Sequence, residues 1–153
     1  MSRERFRYKG GKVIVQMTSD EREFLADVLD LLATIPATGD DPATQRLHVP
    51  VYLDDPEANA EWWRLMGDEL STARMSDRAV FLRVVEGKGK TELSTDEADA
   101  FLRVLNEGRL ALGARFGLEV EDDHDQLPEE QRRVLDYMGW VLEDLTSALT
   151  TAL

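Results

Sequence analysis

The chain has 153 residues, 42% of them hydrophobic, a formal net charge of -13 and no cysteine. That length fits one domain with a substantial core, the acidity opposes duplex nucleic-acid or anionic-lipid binding, which need clustered Lys and Arg, and the lack of cysteine removes disulfide, thiolate-zinc and thiol-redox chemistry. The opening MSRERFRYKGG lacks the apolar centre of a signal peptide and no apolar run approaches the roughly 18 residues of a bilayer span, so a cytoplasmic protein is expected.

The first 17 residues read as a β-hairpin. Arg5–Lys9 and Lys12–Gln16 alternate in polarity around Gly10-Gly11, which suits a tight primed turn. In that register Tyr8 opposes Val13 and Phe6 opposes Val15, and this apolar face must dock on helices because an isolated hairpin is unstable. Five basic side chains against Glu4 give residues 1–12 a charge of +4, leaving -17 on residues 13–153. Arg3, Arg5 and Arg7 are therefore a candidate interaction surface. The plainer alternative is a charged strand face that discourages edge pairing.

Residues 18–153 read as about five helices, giving a mostly α, single-domain bundle. The first is expected over 20–35, capped by Ser19, with Phe24, Val28, Leu31, Leu32 and Ile35 at helical spacing. Residues 37–54 read as a loop, with Val49–Tyr52 extended over the core. Asp55 as N-cap with Pro56 and Glu57 behind it opens the second helix. Its expected core face holds Trp63, Met66, Leu70 and Ala73, and core packing is the expectation for the adjacent Trp62 and Trp63. Ser76-Asp77 is expected to restart the chain into a third helix over 78–85, though AVFLRVV also suits a strand. Residues 86–90, EGKGK, read as a flexible link without the spacing of a phosphate loop.

Ser94-Thr-Asp-Glu97 forms a capping box for a fourth helix reaching about Phe116. Its wide apolar surface predicts a central helix, with Gly108 and Gly113 allowing close approach of a neighbour. EVEDDHD, residues 119–125, lacks calcium-loop spacing and a second histidine, so a solvated acidic loop is expected rather than a metal site. No Ser-His-Asp arrangement assembles around His48 or His124. The last helix starts near Pro128, and its seam of Val134, Met138, Val141, Leu145, Ala148 and Ala152 serves either the core or a homodimer through residues 134–152.

Leu105–Gly117, reading LNEGRLALGARFG, sets Asn106, Arg109 and Arg115 among apolar residues. If buried, they need partners. An Arg–carboxylate network with Glu61, Asp68 or Glu69 is the structural reading; an anion grip is the functional one.

This segment, with the Asp54-Asp55-Pro56-Glu57-Ala58 helix start and the closing Tyr137…Trp140-Val-Leu142…Ala148-Leu149, resembles an uncharacterised actinobacterial family. Its members usually read close to LNDLRLALGTRLG, from which this chain departs at Glu107, Gly108, Ala114 and Phe116. The resemblance implies a mostly helical domain whose motif residues Asn106, Arg109, Gly113 and Arg115 are structural. It also implies genes beside that of the Clp adaptor, and kinship with AosR-like oxidative-stress-responsive regulators acting with a sigma factor. The expected function is thus a non-enzymatic regulator, without cofactor or metal, that binds a sigma factor or RNA polymerase. A Clp-associated accessory protein and a small-molecule or anion-binding domain are the alternatives. A thiol sensor cannot be inherited by a chain without cysteine, and direct DNA binding is not expected from so acidic a body.

Overall fold

A computed structural model describes residues 4–36, 39–47, 54–118 and 121–153. Arg3, His48 and the Val49–Tyr52 stretch lie outside them. Among the described residues, five α-helices and an N-terminal antiparallel hairpin make up the fold as expected, with a third strand that was not.

The hairpin, β1 (Phe6–Lys9) and β2 (Lys12–Gln16), has the expected register, Phe6 opposite Val15 and Tyr8 opposite Val13. Gly10 and Gly11 take φ of 60° and 78°, as the primed turn requires. An unforeseen strand begins at Lys90, the last residue of the link expected over 86–90. β3 (Lys90–Leu93) pairs antiparallel with the other edge of β2, giving the order β1-β2-β3. With only Leu93 apolar, Lys-Thr-Glu-Leu carries no alternation of its own; the open edge of β2 makes it a strand. Phe6, Val13, Val15 and Leu93 are buried on the helix-facing side.

α1 (Ser19–Ala33) starts one residue earlier than expected, because Thr18 and Glu21 form the reciprocal capping box and Ser19 is already helical. The short α2 (Pro42–Leu47) falls where a plain loop was expected. Six residues are too few for a periodic signal; Asp41 Oδ1 accepts the Ala43 amide at 2.9 Å, and the Thr44 hydroxyl donates to Pro36 O at 2.8 Å.

The larger correction concerns Ser76-Asp77. α3 (Pro56–Glu86) runs unbroken for 31 residues, about 46 Å at 1.5 Å per residue, and AVFLRVV is helical. Serine and aspartate cap helices only where the chain turns, and no Pro or Gly forces a turn there. Asp77 instead accepts a two-pronged pair from Arg103, both bonds 2.8 Å. α3 buries only Phe81, Val84 and Val85 fully. Trp63, Met66 and Leu70, expected in the core, are half-buried, and Ala73 is exposed.

α4 (Thr95–Arg115) is the central helix, touching α1, α2, α3, α5, β2 and β3. Phe101 stacks on Phe81 at 4.5 Å and meets Phe6 edge-on at 5.8 Å, so one ring joins sheet, α3 and α4. The end of α4 closes as a Schellman motif, with Gly117 at φ 84° and the Leu118 amide donating to Gly113 O at 2.9 Å. α5 (Glu129–Thr151) turns Met138, Val141, Leu145 and Ala148 into the core. That seam is occupied within the chain.

Gly108 sits where α4 crosses α1. A Cβ there would stand 2.5 Å from Val28 Cγ1 and 3.4 Å from Met138 Cε. Alanine is the better helix former by about 1 kcal/mol, but overpacking of this kind costs about 1–3 kcal/mol. Gly108→Ala should therefore lower stability by about 1 kcal/mol in urea unfolding. A rise in stability would show that the crossing is looser than this geometry.

Candidate functional site

The first two thirds of α3 reach beyond the core and present two faces of opposite character. Steps of four, four and three place Glu57, Glu61, Leu65 and Asp68 along one side. All four are exposed, Leu65 at 63%, and Asp54, Asp55 and Glu69 are exposed nearby. Arg64 is the counter-charge here, held by Glu61 at 2.5 and 3.0 Å; its hydrogen bonds hold the Glu61 carboxyl below the usual glutamate range.

On the other side, Asn59, Trp63, Gly67, Leu70, Arg74 and Arg78 recur at steps of four and three and form one wall of a cleft of about 630 Å³. Leu32 and Ile35, at the end of α1, and Thr44 and Leu47 of α2 form the rest. Among the described residues, none that lines the cleft is acidic, although the chain has 31 Asp and Glu. Arg74 donates to Leu47 O at 3.3 Å. Arg78 reaches Glu107 only at 3.4 Å, and its buried Nε has no partner among the described residues. Trp63 meets Trp62 edge-on at 5.0 Å.

The residues singled out in the sequence lie elsewhere. Asn106 and Arg109 are exposed, so their position on α4 does not create the burial that called for partners. The Arg109 guanidinium lies 3.6–3.8 Å from where a Cβ on Gly139 of α5 would stand. Arg115 is exposed and pairs with Asp41 at 2.9 Å, tying α4 to the turn before α2; that bond holds the Asp41 carboxyl below the usual aspartate range. Neither arginine meets Glu61, Asp68 or Glu69 through any ion pair of the described residues. Gly113 is buried in the Schellman closure.

Of the candidate basic surface, Arg7 is exposed, whereas Arg5 turns back onto the body. It bonds Glu21 of α1 and Asp144 of α5, the latter at 2.6 Å, with its guanidinium 5.4 Å from the Tyr137 ring centre. The Tyr137 hydroxyl donates to Glu21 at 3.0 Å. Burial raises the Glu21 pKa, but hydrogen bonds from Arg5, Thr18 and Tyr137 outweigh it and hold the carboxyl below its usual range. Burial, with Glu21 beside it, pushes the Tyr137 phenol up. His124, in a 3-10 turn over Glu121–Gln126, stands 2.9 Å from Asp136 of α5.

A family defined as a domain of unknown function, DUF2017, matches residues 3–149. The chain belongs to this family. No match was found among curated proteins or among solved structures. The DUF2017 match spans hairpin, cleft and closing helix alike, so it covers both faces of α3.

Within this DUF2017 chain the cleft escaped the sequence reading for an identifiable reason. A helix break at Ser76-Asp77 separates Arg78 from Trp63 and hides the repeat running from Asn59 to Arg78. The signal was present: six positions on one helical face, two of them arginine and none acidic. Nor does an isolated arginine in the first turn and a half of an acidic helix announce what Arg22 does. It is 5% exposed and donates to the carbonyls of Val84 at 2.6 Å and Gly89 at 2.5 Å.

Proposed function

We propose that this protein is a non-enzymatic regulator that acts by binding another protein, with a sigma factor or RNA polymerase in a stress response as the partner class. The observation carrying the reading is the outer face of α3, where exposed acids flank the exposed Leu65 on a helix that extends past the core. Such a face complements a basic amphipathic segment: charge steers the encounter, and the apolar side chain contributes contact area once water is excluded. The net charge of -13 extends that field over the molecule. The resemblance to oxidative-stress-responsive regulators supports the choice of transcription components.

The test is a pull-down from an actinobacterial lysate with the wild-type chain and with a Glu61→Lys, Leu65→Glu double variant, across a salt series. The expected result is a sigma factor or RNA polymerase subunit retained at low salt, weakened as salt shortens the Debye length, and lost by the double variant. Retention of no transcription component at low salt would sink this reading. Recovery of Clp components in their place would move it to the accessory alternative suggested by the family's gene neighbourhood.

A further inference from the structure

We infer that the outward face of the three-stranded sheet binds an acidic, extended segment of a partner protein, whose carboxylates meet Arg7, Lys9, Lys12 and Lys90. This face is separate from the acidic side of α3 and opposite to it in charge. Three observations carry the assignment.

The first is where the lysines stand. The chain has four, and all belong to the sheet or its approach: Lys9 and Lys12 flank the hairpin turn, and Lys88 and Lys90 lead into β3. All four are exposed, as is Arg7, and none of these five joins an ion pair among the described residues. Seven arginines of the chain do. Glu97, whose carboxyl the Ser94 amide holds below the usual glutamate range, feels Lys12 through space but bonds Arg83. A chain with 31 Asp and Glu thus leaves this group of bases without a carboxylate of its own.

The second is register. Phe6, Val13, Val15 and Leu93 are buried against the helices, so the alternate positions point outward. These form rows of Lys9 with Lys12, of Arg7 with Ile14 and Glu92, and of Gln16 with Lys90. Glu92 is the single acid in them. Like charges directly opposite on paired strands are destabilising, and a carboxylate held between Lys9 and Lys12 removes that cost. Edge protection does not account for Lys12, because β2 is the central strand and has no free edge.

The third is extent. From Lys12 to Gln16 the strand rises about 14 Å, the reach of about five extended residues. Half-buried Ile14 lies in the middle row and offers one apolar contact. Between Asp68 and Glu86, α3 runs about 27 Å, more than three Debye lengths at physiological salt. The acidic face of α3 therefore does not cancel the basic sheet. A duplex nucleic acid would run past this small patch into a body of charge -17. A single strand needs aromatic rings to stack on, and the outward rows hold none. A short acidic peptide stays within the patch.

The experiment titrates the full, nitrogen-15-labelled chain with blocked hexaglutamate and reads amide shifts by NMR. Blocked hexalysine and heptathymidylate, a single-stranded DNA of the same charge as hexaglutamate, run beside it. Saturable one-to-one binding of hexaglutamate is expected, with shifts at Arg7–Gln16 and Lys88–Leu93 and none over Glu57–Asp68. Affinity should fall at least fivefold from about 50 to about 200 mM salt. The Lys9→Gln, Lys12→Gln double variant should bind at least fivefold more weakly without a lower melting temperature. Glu92→Gln should bind more tightly, an effect that a damaged fold does not produce. No saturation at low salt, shifts centred elsewhere, undiminished binding by the double variant, or tighter binding of heptathymidylate would each overturn the assignment. Glu92→Gln keeps the test decisive if the double variant fails to fold.

Discussion

Arg22→Met should lower the stability of this protein by about 3 kcal/mol, from the removal of one side chain that pairs with no carboxylate among the described residues. Arg22 is buried, and its guanidinium donates to Val84 O in the last turn of α3 and to Gly89 O in the turn leading to β3. Burial lowers its pKa. The cation is nonetheless well placed, since carbonyl oxygens at a helix C-terminus carry the negative end of the helix dipole. Methionine retains much of the apolar stem but removes two charge-assisted hydrogen bonds, worth about 1.5–3 kcal/mol each, and leaves Val84 O with the Gly87 amide alone, at 3.1 Å. For a chain of this length that loss corresponds to a fall of roughly 6–12 °C in melting temperature. Arg22→Lys should recover part of the loss, because one ammonium lacks the fork that reaches both oxygens. Gly87→Ala should also destabilise, since its Cβ would stand 2.8 Å from an Arg22 terminal nitrogen. Thermal and urea unfolding of the three variants check this; an Arg22→Met variant as stable as wild type would remove Arg22 from its role as the link between α1 and the α3–β3 turn.

Glu21→Ala should cost about 2–3 kcal/mol at neutral pH and much less in acid. Glu21 closes the capping box of α1 with Thr18, a feature worth about 1 kcal/mol. It also receives Arg5 and the Tyr137 hydroxyl, so its loss removes one of Arg5's two carboxylate partners and the acceptor of a half-buried phenol. The pH dependence follows from the depressed pKa of Glu21. A carboxyl whose folded pKa lies below its unfolded value binds fewer protons when folded. Its stabilisation is therefore complete above the unfolded value, near 4.5, and is lost as pH falls through the lower folded value. The stability gap between wild type and Glu21→Ala should thus be full at pH 7 and narrow steadily below the ordinary glutamate range. A gap independent of pH down to pH 2 would mean that the contribution is packing rather than charge.

Both residues show what a sequence reading can and cannot reach. Glu21 lies in the first turn of the helix expected over 20–35, where an acid suits the helix dipole, which is local chemistry. Its bonds to Arg5 and Tyr137 bring together residues 16 and 116 positions away along the chain. Alternation with Phe6 along the strand assigns Arg5 to an outward basic surface. Two acids on the neighbouring helices, Glu21 and Asp144, draw it back against the body. Leucines surround the motif arginines Arg109 and Arg115 in sequence, which suggests burial; on α4 they fall on the exposed side of a helix whose apolar positions satisfy the core without them.

The sequence alone determined what depends on near neighbours: the hairpin and its register from alternation around two glycines, the capping box of α4, the inward stripe of α5 and the central place of α4. These follow from turn geometry, capping and periodicity within a few residues. Tertiary structure decided the rest. β3 became a strand through the free edge of β2, Asp77 remained inside α3 because Arg103 takes its carboxylate, and Arg22 acquired its partners when α1 packed on the end of α3. The two-faced projection of α3, acidic outside and carboxylate-free along the cleft, exists only because that helix is continuous. Each of these rests on the free energy of contacts between distant segments, which local propensity does not contain.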